Sequence, residues 1–341
     1  MAADLAMLLV KKTNSQELGY RQGKPSRAGE YLFVSKTWVR YFPILSRTVR
    51  NDCAPVRIET PENRSAILPF VYHNDKWLGK GSRGRDEFRL YVASALSNKL
   101  LQIKPGDLVV FDVSNPTVPS DHFRVRVVPS GTRLAKELEC ERKHNETYWS
   151  IDAAKMQAAD FRTPLIGLPS LEGHGEAVPC EPELFAETVV DEKRLSGFLE
   201  DTPDDVLARR IPDSMFRELV VAAYSRRCAV SDATIWAGNF TSLEAAHVMP
   251  ASHGGKNLPC NGIALSRDLH WAFDRGAFTF DDDKAVLVHP KVRCQDLKTL
   301  GGRSLRRVED SFYSPRQEFI EYHRQHVYGG FLRTGALPRA V

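Results

Sequence analysis

The chain lacks any run of roughly 18 or more apolar residues, the length a membrane-spanning helix needs, so a membrane protein of the helical kind is excluded. It has no Cys-x-x-Cys pair and no dense cysteine framework: its 6 cysteines, at positions 53, 140, 180, 228, 260 and 294, are scattered. That scatter argues against disulfide staples and a four-cysteine zinc site, and small buried thiols in a reducing compartment are expected. The apolar start Leu5–Val10 follows Asp4 rather than a basic segment, which argues against a secretory signal and for a cytoplasmic protein. No internal repeat of about 20 to 50 residues occurs, so solenoids and propellers are excluded.

What is present is ordinary in amount and uneven in placement. At 341 residues the chain is long enough for two domains and a connector, and 42% hydrophobic with 26% charged residues supports folded cores. Charge divides along the chain. Residues 1–155 carry 25 Lys/Arg against 17 Asp/Glu, residues 156–213 carry 5 against 13, and residues 214–341 carry 17 against 13. Two basic blocks therefore flank an acidic connector, an arrangement that suits a polyanionic partner without requiring one.

The first block reads as strand-rich. Glu30–Val34, Pro55–Ile58, Ala66–Tyr72, Glu87–Val92, Leu108–Val113 and Phe123–Val128 are β-branched or aromatic runs separated by Gly, Pro and Asn, as in a compact barrel or sandwich. Helices are expected at Ala93–Leu101 and near Lys36–Tyr41. The segment from about Ala153 to Asp205 holds five prolines among acids, which predicts a linker with one short helix at Asp191–Leu199. A helix with Met215, Leu219, Val220 and Ala223 on one face is expected from about Pro212 to Arg227.

Chemistry concentrates after that helix. Glu244-Ala245-Ala246-His247 is followed by Asn261-Gly262-Ile263-Ala264-Leu265 and by His270-Trp271-Ala272-Phe273-Asp274-Arg275-Gly276, so the two histidines and the asparagine are spaced by 14 and then 9 residues. Over about residues 225–290 these words resemble the HNH endonuclease family. The resemblance implies a ββα-metal finger in which His247 is the general base, Asn261 fixes the loop carrying it and His270 is a metal ligand. Phosphodiester hydrolysis needs those parts: a base near its working pH to take a proton from water, and a divalent cation to neutralise phosphate charge. Asp274 falls one helical turn after His270 and could bind the cation or orient the ring.

One position departs from the family pattern. Many members carry Asp or His directly before the base as a metal ligand, and this chain has Ala246. Glu244 shares the side of an extended strand with Ala246, so its longer side chain is the candidate replacement. The expected metal set is thus His270, Asp274 and Glu244, with Mg²⁺ as the cation or Mn²⁺ in its place. Only Cys228 and Cys260 border the finger, so no structural zinc is expected. His323 and His326 lack motif support and are expected in solvent. Arg226, Arg227, Lys256 and Arg275 could grip phosphates or simply be surface charge.

Asn14–Gly19, Gly29–Val34, Gly81–Leu90 and Pro105–Phe111 resemble the B3-like DNA-binding pseudobarrel over about residues 5–135. That likeness implies two arms in the major groove, here Tyr20–Arg27 and Lys76–Arg89, and makes Arg21, Lys24, Arg27, Lys80, Arg83 and Arg85 the candidate DNA contacts, with Arg275 on the finger. Arg89 and Glu87 alternate with Phe88 and Leu90 and are expected to form a structural pair. Trp38, Tyr41, Phe42, Tyr72 and Trp77 could line a pocket for an extruded base or belong to the core.

The expectation is an α+β protein: a B3-like DNA-recognition domain over residues 1–150, an acidic linker over 151–205 and an HNH nuclease domain over 206–341. Its expected function is prokaryotic restriction of double-stranded DNA. The alternatives are a modification-dependent restriction endonuclease, for instance one reading 5-methylcytosine, and a non-cutting DNA-binding regulator. A homodimer is expected, with Phe312, Tyr313, Phe319, Tyr322 and Tyr328 as contact surface or as packing for their own domain.

Overall fold

Alternation of side chains along a strand sends successive residues to opposite faces, and the first half of the chain uses both faces. The computed structural model describes residues 7–21, 24–25, 30–79, 84–113, 115–143, 145–153, 188–200, 202–237 and 240–331. These divide into two units, residues 7–199 and residues 200–331. Arg27, Lys80, Arg83, the side chain of Arg21 and most of the 151–205 segment lie outside the described residues.

In the first unit a nine-stranded sheet curls into a half-barrel. Its strands are β1 (Met7–Lys12), β2 (Tyr31–Val34), β3 (Cys53–Glu59), β4 (Ser65–His73), β5 (Glu87–Tyr91), β6 (Leu108–Val113), β7 (His122–Val128), β8 (Tyr148–Asp152) and β9 (Thr188–Val190). The order is β8-β1-β6-β7-β3-β4-β5-β2, and β9 runs parallel beside β4. Short helices are α1 (Ala93–Ser97), α2 (Arg133–Cys140) and α3 (Glu192–Leu199). Residues 188–199 thus pack on the first unit.

Strands β2 to β7 lie on the runs singled out by sequence; β1, β8, β9 and α2 do not. Strand β1 was hidden because both of its faces are covered. Leu9 packs inside with Val109 and Phe111, whereas Leu8 and Val10 pack outside with Leu108, Val110, Val128 and the α2 residues Ala135 and Leu138. Burial on both sides erases the polar alternation by which a strand is recognised. Near Lys36–Tyr41 the chain forms only a 3₁₀ turn, Val39–Tyr41.

The aromatic residues resolve as core. Trp38, Tyr41, Phe42 and Tyr72 are all buried, Phe42 stacking on Phe123 at 4.4 Å and Tyr72 on Phe88 at 4.2 Å, so none of these four lines an open base pocket. Trp77 differs, being 52% exposed with the Arg47 guanidinium 5.0 Å from its ring centre. Arg89 and Glu87 form an ion pair on β5, and Arg89 also lies over the Tyr31 ring at 4.1 Å.

A charged pair is sealed into this unit. Lys11 Nζ lies 2.8 Å from Glu17 Oε1 with the side chains 1% and 0% exposed, and Tyr148 covers the ammonium at 4.2 Å. Glu17 also accepts from the backbone amides of Asn14 and Phe33, so one carboxylate pins the turn after β1 to β2. Burial lowers the Lys11 pKa against the opposing pull of Glu17. The ribbon Tyr20–Arg21 and Lys24–Pro25 springs from that turn. Glu17→Ala should leave a buried ammonium without its partner and cost about 3–5 kcal/mol in urea unfolding. A loss under about 1 kcal/mol, the size of a surface pair, would contradict this role.

The second unit contains α4 (Asp204–Arg210), α5 (Asp213–Ala223), β10 (Leu243–His247), β11 (Gly262–Ser266), α6 (Arg267–Asp274), β12 (Phe278–Phe280), β13 (Val286–Val288), α7 (Gln295–Lys298) and α8 (Gln317–His326). Pro212 is the N-cap of α5, whose Met215, Leu219, Val220 and Ala223 are buried. His323 corrects an expectation. It is 1% exposed and stacks on Phe273 at 3.7 Å, its ring nitrogens meeting Thr279 Oγ1 and the Phe273 carbonyl, and burial lowers its pKa to about 3. His326 is exposed. Cys53, Cys228 and Cys260 are buried, whereas Cys140 and Cys294 are exposed, contrary to the expectation of buried thiols throughout. Tyr313 is buried, and Phe312, Phe319, Tyr322 and Tyr328 are half-buried.

Candidate active site

The site is built on an antiparallel hairpin and the helix that follows it. Strand β10 pairs with β11 so that Glu244 faces Leu265, Ala246 faces Ile263 and His247 faces Gly262. Helix α5 packs against this hairpin so tightly that a Cβ on Gly262 would sit 2.3 Å from Val220 Cγ2 and 2.9 Å from Phe216 Cζ. Glycine is required there by the close approach. Gly276 ends the finger with φ +70, and a Cβ would meet the Val327 carbonyl at 2.0 Å.

Asn261 is wholly buried and holds the loop beyond His247 through three side-chain bonds. Its Oδ1 accepts from the Met249 amide at 2.8 Å, and its Nδ2 donates to the Met249 and Lys256 carbonyls at 3.1 Å each. The His247 ring is stacked on Phe216, with centres 4.3 Å apart and planes 17° apart, and its Nε2 lies 2.9 Å from Asn257 Oδ1. Burial lowers the His247 pKa below 6.5, although the Asn257 bond and the Asp213 charge act in the other direction.

His270 and Glu244 join the hairpin to α6. Glu244 Oε2 lies 2.8 Å from His270 Nδ1, Arg267 Nε lies 3.1 Å from Glu244 Oε1, and Asp274 Oδ2 lies 3.4 Å from His270 Nε2. The His270 bond holds the Glu244 carboxyl below its usual range. At His270 burial lowers the pKa, but the Glu244 bond and the charges of Asp274 and Glu244 together outweigh it and raise the value. Burial raises the Asp274 pKa despite the nearby imidazole.

These donors fit a divalent cation. Two carboxylates and an imidazole suit Mg²⁺, Mn²⁺ or Zn²⁺ in kind. The 3.4 Å between His270 Nε2 and Asp274 Oδ2 is long for a hydrogen bond. Two atoms that each stand about 2.1 Å from one cation are separated by roughly 3–3.5 Å, so this spacing can be bridged by one ion. Glu244 already engages the other ring nitrogen, as carboxylates behind metal-bound histidines do. Among the described residues no three or more His, Cys, Asp or Glu side chains form a ready-made metal cage.

The other candidate contacts are more scattered. Lys24 is exposed on its ribbon, and Arg85 is exposed but bonded through Nε to Asp75 at 2.7 Å. Arg275 lies over the ring of Trp271 at 4.4 Å, and Trp271 is 60% exposed. Arg227 pairs with Asp232 at 3.2 Å, and Lys256 pairs with Asp205. Sequence reasoning missed Asn257, Asp213, Phe216 and Arg267. Asn257 sits between two motif words, and only its fold-given neighbours single it out.

Residues 228–281 match the HNH endonuclease family. The second unit therefore carries an HNH endonuclease domain. No curated protein matches the chain. Among solved structures, a modification dependent TagI restriction endonuclease is 22% identical with a TM-score of 0.30, covering 40% of this chain and 43% of its own. The N-terminal domain of Helicobacter pylori LlaJI.R1 is 14% identical with a TM-score of 0.26, covering 42% of this chain and 97% of that domain. The chain thus spans less than half the length of the first of these.

The two HNH histidines should titrate in opposite senses. In metal-free protein His270 should gain its proton above pH 6.5, and His247 should gain its own only below that value. By linkage, the stability that His270 draws from Glu244 is present below pH 6.5 and is lost as pH rises through the raised His270 value, and the share carried by Glu244 is lost at the acid end as pH falls through its depressed value. Histidine ring resonances followed by NMR across pH 5 to 8 measure this, and the reverse order would contradict the geometry.

Proposed function

We propose that the protein is a restriction endonuclease that cuts double-stranded DNA through its HNH finger after the first unit has engaged the duplex. The observation that carries this reading is the gathering of His247, Asn261, His270, Glu244 and Asp274 within one hairpin and one helix. In it His247 takes a proton from water, and the resulting hydroxide oxygen attacks phosphorus while a P–O bond of the backbone breaks. Asn261 keeps His247 in place by fixing the loop after it. His270 and Asp274 are the cation-holding residues, and Glu244 holds His270 through Nδ1. A divalent cation bound there, Mg²⁺ or Mn²⁺, supplies charge neutralisation at the phosphate and the leaving oxygen.

The first unit supplies target choice as a B3-like reader spanning residues 1–150, joined by the 151–205 segment to the nuclease domain of residues 206–341. Its arms, Tyr20–Arg27 and Lys76–Arg89, contact the duplex through Arg21, Lys24, Arg27, Lys80, Arg83 and Arg85. What supports this is the net basic charge of that block and the exposed Trp77 beside Arg47 at the root of the second arm. Arg275, stacked on exposed Trp271, offers a phosphate contact on the finger. One finger cuts one strand, so a two-fold pair of chains on DNA provides the two sites of opposite polarity that a double-strand break requires.

Cleavage of matched methylated and unmethylated plasmids tests the reading. Cutting of unmethylated plasmid in Mg²⁺ or Mn²⁺, its loss in EDTA and its loss in His247→Ala with duplex binding retained are the expected results. Cutting confined to methylated plasmid would instead make the enzyme modification-dependent. Retained cutting by His247→Ala within about tenfold of wild type would remove His247 from the mechanism. Sedimentation should show two chains per cleaved duplex, and a monomer that only nicks would defeat the two-fold arrangement.

A further inference from the structure

We propose that Asn257 sets the tautomer of His247, holding the hydrogen on Nε2 so that Nδ1 is the nitrogen that accepts a proton. The proposal rests on the reading of His247 as the general base. Its basis is the hydrogen-bond accounting around one side-chain amide. Asn257 Nδ2 donates to the Ile211 carbonyl at 3.0 Å and to Asp213 Oδ1 at 2.7 Å, and both of these partners are acceptors. The amide can therefore point only one way: turning it over would set its oxygen against two acceptors and lose both bonds. Asn257 Oδ1 is consequently the atom 2.9 Å from His247 Nε2, and an acceptor there requires Nε2 to carry hydrogen. Neutral imidazole has one N–H, so the lone pair is on Nδ1.

Two further contacts keep the ring in this plane. Phe216 stacks on it 4.3 Å away, and Asn261 fixes the backbone just beyond it through the Met249 amide. Asp213, in the first turn of α5, faces Asn257 rather than His247, so the carboxylate orients the base through a neutral amide. A carboxylate placed directly on Nε2 would favour the charged ring more strongly and leave less of it neutral to accept a proton; a neutral amide orients the ring with a smaller effect of that kind. During turnover the proton from water is received at Nδ1, the other hydrogen stays on Nε2 and is donated to Asn257 Oδ1, and the imidazolium that results keeps the same bond. Asn257 and Asp213 are positioning residues, since neither reaches the reacting atoms.

Nitrogen NMR of the full chain labelled with ¹⁵N-histidine, free of metal and DNA at a pH where His247 is neutral, reads the tautomer directly. Wild type should show His247 in the Nε2–H form, and Asn257→Ala should show a mixture. In plasmid cleavage, Asn257→Ala should lower kcat by roughly 10–100-fold with little change in KM for DNA, as loss of an orienting partner does. Asn257→Asp combined with Asp213→Asn keeps an acceptor for Nε2–H but makes it a carboxylate, so it should regain the Nε2–H tautomer while shifting the pH dependence of cleavage upward. That rescue separates positioning from folding damage. An Nδ1–H form in wild type, or an Asn257→Ala chain with unchanged tautomer and kcat, overturns the proposal. Wild-type cutting by His247→Ala would overturn the general-base reading itself, and the spectrum taken without substrate keeps that failure distinct from a failure of the Asn257 bond.

Discussion

The carboxylate of Glu244 ties the two halves of the HNH finger together. It sits on β10, three residues before His247, and reaches His270 on α6 at 2.8 Å while Arg267 reaches its other oxygen. Strand and helix are thereby locked at the place where the proposed mechanism sets a base on one and a cation donor on the other. The pair is half-buried, so its charges are screened less than those of a surface pair, and the opposite pKa shifts of Glu244 and His270 express that coupling. With alanine at 246, the residue directly before His247 offers no side-chain ligand atom. The glutamate two residues earlier engages the His270 ring.

Much of this finger was legible in the sequence because its chemistry is written in short words at fixed spacing. His247, Asn261, His270, Asp274 and Glu244 all stand in those words, and the hairpin and the helix after it carry them. Asn257 was not legible. Its importance comes from Ile211 and Asp213, which lie more than 40 residues away and meet it only after α5 packs on the hairpin. The same reason hid Gly262's steric role, since the clash is with Val220 and Phe216 of α5. His323 was misread as a surface histidine because a single histidine near lysines and arginines has no periodic signature that tells burial from exposure; the stacked Phe273 ring decides it.

In the first unit alternation was a good guide where one face is polar and failed where both are covered. Strands β2 to β7 follow their β-branched runs, whereas β1 became visible only with α2 packed over its outer face. The aromatic residues show the limit of composition in another way: Trp38, Tyr41, Phe42 and Tyr72 have the chemistry of a base pocket but fill the core, and Trp77 alone of the five stands open. The buried Lys11–Glu17 pair has no sequence signal either. Lysine and glutamate six residues apart read as surface charge until β2 donates its Phe33 amide to the same carboxylate.

Manganese binding to the full chain without DNA, followed by electron paramagnetic resonance, tests the central role of the Glu244–His270 pair most directly. Wild type should bind the ion, His270→Ala should abolish binding, and Glu244→Gln should weaken it roughly 10–100-fold because the imidazole loses its charged partner. Manganese affinity left unchanged in Glu244→Gln, or binding retained in His270→Ala, would contradict that role.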